Sequence, residues 1–224
     1  MMVEALLLSL KLSLATTGLL LLLSLALGYL LSFRDLPAKG LLEALLLLPI
    51  LLPPTVLGFY LIALLSPDSP VGALITALRG KPLLFSFEAL LIGSLIYSLP
   101  FGVFPVRDAF QSVSRRHIEV AYVFGYSPLE TFLRVVLPNS WGGILTASAL
   151  VFAHTMGEFG VVLMLGGSIP GETKTLSIYI YDEVQALNYG EAHRASLLLL
   201  TVSLVALAVL SFVRRGWIEK LRSS

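Results

Sequence analysis

The sequence predicts an all-α fold: a polytopic transmembrane helical bundle of about five spans, with the N-terminus outside and the C-terminus inside. Three observations predict it. Of 224 residues, 57% are hydrophobic and 13% charged, roughly half the charge of an ordinary soluble domain. The apolar residues are gathered into runs of the length a bilayer demands, about 20 residues each. Lys and Arg are shared unequally between the alternate flanks of those runs. The net charge of +1 gives no reason to expect a nucleic-acid partner. With zero cysteines, disulfides and thiolate metal sites are excluded.

The first apolar stretch, Leu12 to Phe33, lacks a basic leader and is too long for a signal-peptide core, so it reads as a retained span. The expected spans are about 10–33, 41–65, 85–106, 141–165 and 195–213, within one domain covering 1–224. The second contains Pro49, Pro53 and Pro54, and the third Pro100 and Pro105. Prolines in spans imply kinks that neighbouring helices re-satisfy, hence a bundle.

Orientation follows from the flanks. With the N-terminus outside, the inner side holds Arg34, Lys39, Arg107, Arg115, Arg116, Arg134, Arg214, Arg215, Lys220 and Arg222. The outer side holds Lys11, Arg79, Lys81, Lys174 and Arg194. Ten cations against five favour N-out, C-in. Residues 34–40 then form an inner turn, 66–84 an outer loop rich in Pro and Gly, and 107–140 a long inner loop. Residues 166–194 form an outer segment with a short helix expected at Leu176–Leu187.

The inner loop alternates charged and apolar residues at helical spacing, with Ile118, Ala121, Tyr122 and Gly125 on one face. Gly125 offers a turn. Ser127 reads as an N-cap, Pro128 as the first helical residue and Glu130 as the partner in a capping box. A helix, a turn and a second helix ending at Leu137-Pro138 follow.

These residues carry a resemblance. Glu119-Val120-Ala121, Gly125, Val135 and Leu137-Pro138 stand at the spacing of the "EAA" loop of ABC-importer permeases, with Val120 replacing the usual second alanine. The resemblance implies that the segment 115–138 holds a cytoplasmic coupling helix docking on a separate ATPase subunit. It assigns coupling to Glu119, Val120, Ala121, Gly125, Leu137 and Pro138. Further stretches resemble the molybdate branch of that family: Leu52-Pro53-Pro54-Thr55-Val56-Leu57-Gly58, Gly157-Glu158-Phe159-Gly160 and Ile169-Pro170-Gly171-Glu172-Thr173-Lys174-Thr175. They imply molybdate import by alternating access, with tungstate and sulfate or thiosulfate as alternative cargo. Two ATPase copies, an extracytoplasmic oxyanion-binding protein and a multi-pass location in a prokaryotic inner membrane are implied too.

In the fourth run, Ala149, Ala153 and Gly157 form a small-residue track, with Gly143 and Ala147 beside it. Such tracks permit close helix packing. His154 and Glu158 lie one turn apart in the same run. Intramembrane ionisable residues face a bundle interior or an aqueous cavity. Hence His154, Gly157 and Glu158 are candidates for the translocation path or its gate, the alternative being hydrogen bonding between helices. A carboxylate would repel an oxyanion, so Glu158 is not expected to bind substrate. Arg107 reads either as an attractor of anions or as a membrane anchor. Lys174 reads as a contact for a binding protein or for lipid headgroups.

No G-x-x-x-x-G-K-[ST] occurs, so ATP hydrolysis is expected on another chain. His117, His154 and His193 fall in three different segments, and neither H-E-x-x-H nor G-x-S-x-G is present. No enzyme, cofactor or metal is expected. Secondary transporters usually show repeats within one chain, and none is visible here. One set of five spans encloses a pathway poorly, which makes a second copy on a two-fold axis the economical assembly.

Overall fold

A computed structural model describes the backbone of residues 1–222 and the side chains of residues 1–213. Arg214, Arg215, Lys220 and Arg222, four cations in the charge count, lie outside the described side chains. The helices run α1 (Met2–Phe33), α2 (Lys39–Leu51), α3 (Pro54–Leu65), α4 (Pro70–Arg79), α5 (Phe87–Ser112) and α6 (Arg115–Val123). Then come α7 (Pro128–Thr131), a π-helical stretch (Phe132–Val136), α8 (Leu137–Asn139), α9 (Trp141–Gly157), α10 (Gly160–Gly166), α11 (Leu176–Gln185) and α12 (Tyr189–Arg222). Among the described residues, three helices are long and apolar enough to span a membrane. The number is five if α2 with α3, and Pro128–Asn139 with α9, each count as one bent span.

α5 is the central helix, packed on α1, α9, α10 and α2. Half of its most apolar window is buried within the chain, against none of that of α12, which stands at the rim. Two glycines let other helices approach the α5 backbone. A Cβ on Gly28 would stand 2.9 Å from Val106 Cγ1, and one on Gly143 would meet Ala109 Cβ and come 3.0 Å from the Pro105 carbonyl. Leu20, Leu31, Val103, Val106, Phe110, Ala147 and Val151 are fully buried in the space so formed. Of the two small-residue tracks, the one through Gly143 and Ala147 is packed. A Cβ built on Gly157 would meet no heavy atom of another element within 4 Å among the described residues.

Prolines act differently in two places. Pro100 and Pro105 lie inside α5 without ending it. Pro53-Pro54 removes two successive N–H donors and holds Leu52 and Pro53 extended (ψ 141° and 137°). α2 and α3 therefore meet at 109°.

Element limits also move. The first helix starts at Met2, the third long helix continues to Ser112, and the last begins at Tyr189. The expected outer loop 66–84 contains α4, capped by the Ser69 hydroxyl, opened by Pro70 and closed by Gly80 at φ 72°. Those start and stop signals were present in the sequence. The expected continuous helix 141–165 is interrupted: α9 stops at Gly157, Glu158 is extended (φ −63°, ψ 132°), and α10 starts at Gly160. Glycines bracket the break, and the Ser177 hydroxyl of α11 satisfies the Glu158 carbonyl freed there.

Candidate functional site

Two regions contain the residues that the sequence singles out. The first is the segment 115–139. α6 ends at Val123, and Gly125 in the turn that follows has a φ of +79°, one that L side chains rarely adopt. The next helix opens on the expected capping box. Ser127 Oγ accepts from the Glu130 N–H, and Glu130 Oε2 accepts from the Ser127 N–H at 2.9 Å. The Ser127 N–H, then its hydroxyl, hold the Glu130 carboxyl below its ordinary range. Helix continues through Leu137-Pro138 to Asn139, with a π stretch between. Ala121 is buried, and Ile118 packs against the cluster around Val136 and Phe110. Tyr122, on the same face as Ile118 and Ala121, is exposed, as are Glu119 and Val120. Val123 (86% exposed), Phe124 (77%), Leu129 and Leu133 add an apolar surface to this otherwise polar segment. Charge spacing in the sequence did not single out those four.

The second region is the α9–α10 break. His154 and Glu158 both turn toward α5. Ser94 Oγ donates to Glu158 Oε2 at 2.6 Å, and Ser98 Oγ shares a hydrogen bond with His154 Nδ1 at 2.9 Å. Ser98 Oγ also lies 3.2 Å from Thr155 Oγ1. The His154 ring packs on Tyr97 and Phe101. Glu158 is 4% exposed, and its Oε1 is buried with no hydrogen-bond partner among the described residues. Its carbonyl, released by the end of α9, accepts from Ser177 Oγ of α11 at 2.6 Å. Ser9 of α1 in turn accepts from the Leu176 N–H at 2.8 Å. One residue thus ties α5, the break and α11 together. Ser94 and Ser98 had a legible signal: two hydroxyls four residues apart in an apolar run, matching the spacing of His154 and Glu158.

The three stretches read separately in the sequence converge here. A Cβ on Gly160 would stand 2.6 Å from Pro54 Cβ, and one on Gly58 2.7 Å from Met164 Cβ. α3 therefore lies directly on α10. The loop from Ile169 is wound tightly: the N–H groups of Glu172, Thr173 and Lys174 all point at the Ile169 carbonyl. Thr173 Oγ1 donates to the Gly166 carbonyl at the end of α10. Lys174 pairs with Asp182 at 2.7 Å, and Ser168 Oγ donates to the same carboxylate at 2.6 Å. Burial alone would raise the Asp182 carboxyl, but Lys174 and Ser168 outweigh it and hold it below its usual value. Lys174 is thus engaged within the chain. Arg107 is engaged as well, with Glu43 at 3.1 Å and Asp108 at 2.7 Å, its guanidinium over Phe104.

Residues 20–223 match the model of the binding-protein-dependent transport system inner membrane component. The chain belongs to that family. It is similar to the molybdenum transport system permease protein ModB of Azotobacter vinelandii, at 44% identity over 186 residues, 83% of this chain and 82% of the relative. ModB of Escherichia coli K12 is 31% identical over 97% of this chain and 93% of its own. A probable sulfate transport permease, cysT of Nephroselmis olivacea, is 28% identical over 80% of this chain and 63% of its own. Among solved structures, the inward-facing MetNI methionine ABC transporter has a chain of the same fold. The TM-score is 0.74 at 16% identity, covering 96% of this chain and 95% of that one. The all-α permease fold is that of an ABC transporter component, and the chain is a transport component of a membrane system.

Proposed function

We infer that this chain is the permease subunit of an ATP-driven molybdate importer, working by alternating access in a prokaryotic inner membrane. The observation that carries the cargo is the 44% identity to a molybdenum permease across four-fifths of both chains, against 28% to the sulfate relative. The chain is read as non-catalytic and cofactor-free, in a complex of two permeases, two ATPases and an extracytoplasmic binding protein. Its orientation is N-out, C-in.

The segment 115–138 is the coupling element. A short helix with exposed Val123 and Phe124 offers a partner an apolar ridge. A tight turn and a capped second helix make it rigid enough to transmit rigid-body motion. Glu119, Val120, Ala121, Gly125, Leu137 and Pro138 form its frame. The α9–α10 break belongs to the translocation path: Gly157 faces it, while His154 and Glu158 position the break from behind through Ser98 and Ser94. Uptake unchanged in Glu158→Gln would remove that role.

The decisive experiment is ATPase activity in proteoliposomes containing the permease, its ATPase and the loaded binding protein, comparing molybdate, tungstate and sulfate. Molybdate is expected to stimulate most. Gly125→Asp and Glu119→Arg are expected to abolish stimulation and release the ATPase with the spans still folded. Survival of both properties in both variants would overturn the coupling assignment, and preferential stimulation by sulfate would overturn the cargo.

A further inference from the structure

Two cavities flank the contact between the end of α1 and α6, and their linings differ in charge. The larger, about 660 Å³, is lined by Asp35, Lys39, Arg115 and Glu119, two charges of each sign. The smaller, about 290 Å³, lies on the other side of Phe33 and Ile118 and contains no acidic residue. Its walls are Tyr29, Phe33, Tyr122 and Phe132, and Arg34 stands in its lining. Arg34 is exposed and makes no ion pair among the described residues, unlike Arg107 and Lys174. Thr131 also lines the cavity. It is 2% exposed, and its buried hydroxyl has no hydrogen-bond partner among the described residues.

The level of this cavity matters. It opens where the 32-residue apolar helix α1 ends and the first polar residues, Arg34 and Asp35, follow. Aromatic rings and a cation at the end of a span are the chemistry of the membrane–water interface. A basic pocket between spans at that level suits an anionic headgroup. The rings offer apolar walls to a glycerol backbone, and Arg34 a charge-assisted donor to its phosphate.

We propose that the cavity between Tyr29–Arg34 and Tyr122–Phe132 is a binding site for the phosphoglycerol headgroup of an anionic phospholipid. On the orientation inferred above, this is a lipid of the cytoplasmic leaflet, and the site is shared between α1 and the coupling segment. The lipid then acts as a wedge: its occupancy fixes α7 and the π-helical stretch against α1.

The test is native mass spectrometry of the permease–ATPase complex in mild detergent doped with equal phosphatidylglycerol and phosphatidylcholine. Retention is read on the permease whether or not the ATPase stays attached, so failure of the coupling assignment leaves this result standing. Wild type should retain phosphatidylglycerol about fivefold over phosphatidylcholine, the equivalent of one interfacial Arg contact of about 1 kcal/mol. Arg34→Gln should erase the preference, and Lys39→Gln, in the neighbouring cavity, should keep it. Equal retention by Arg34→Gln and wild type would overturn the site. Displacement by free glycerol phosphate at matched concentration would assign it to a soluble anion instead. A photo-crosslinker at position 34 that captures the ATPase rather than lipid would overturn it too.

Discussion

The segment 115–139 and the α9–α10 break are held in opposite ways. The segment is stabilised by bonds of short reach: a turn at Gly125, a cap between Ser127 and Glu130, and an Asn139 side chain bonded to the Val135 carbonyl four residues back. Val123, Phe124, Leu129 and Leu133 are left outside. The break is stabilised by bonds of long reach. Glu158 is joined to Ser94 across 64 residues and to Ser177 across 19, and nearly all of its surface is buried. A locally built element keeps its shape while its outer face stays free for another chain. An element built from distant groups changes shape only when the helices holding it move. The first therefore suits receiving motion, and the second suits responding to it.

Four perturbations test how the two regions are held. The largest effect is expected from Gly143→Leu, which forces α9 away from Ala109 and the Pro105 carbonyl. Overpacking of this kind costs about 1–3 kcal/mol. The melting temperature should fall and folded yield with it, whereas Gly142→Leu, facing open space, should melt like wild type. Equal melting of the two variants would show that the α5–α9 contact does not hold the bundle.

Ser94→Ala comes next. It removes the donor to a buried carboxyl, a loss of about 1–3 kcal/mol. Uptake and melting temperature should both drop while the ATPase stays bound. Dissociation of the ATPase would mean that the break and the segment are one unit, not two.

The smallest effect lies in the segment itself. Ser127→Ala should speed amide exchange in α7 about fivefold, as expected for a lost N-cap, without shifting the global melt. Acidification should act likewise. The Glu130 carboxyl is held low by Ser127, so its contribution is present above the ordinary carboxylate value and is lost as pH falls through the lowered one. Exchange in α7, corrected for intrinsic rates, should therefore rise on the acid side only. A matching rise around Glu158 would contradict the separation.

Much of the segment was legible in advance because its determinants are adjacent in the chain. Ser127, Pro128 and Glu130 specify a cap by spacing alone, and Gly125 specifies a turn. The same holds for α4, whose Ser69, Pro70 and Gly80 carried start and stop signals inside a stretch read as loop. The break at Glu158 was not legible. An apolar count over residues 141–165 reads as one helix. The Ser94 hydroxyl, the Ser177 hydroxyl and the Pro54 ring that meet it come from three other helices, far away in the chain.

By itself, then, the sequence determined the class of solvent, the long apolar helices and the local shape of the polar segment, since hydropathy, capping and turn chemistry act over a few residues. Tertiary structure decided which small-residue track is packed, that Lys174 and Arg107 are paired within the chain, and that three separate stretches meet at α10. Those outcomes depend on which surfaces reach van der Waals and hydrogen-bond distance, and spacing along one chain does not encode that distance.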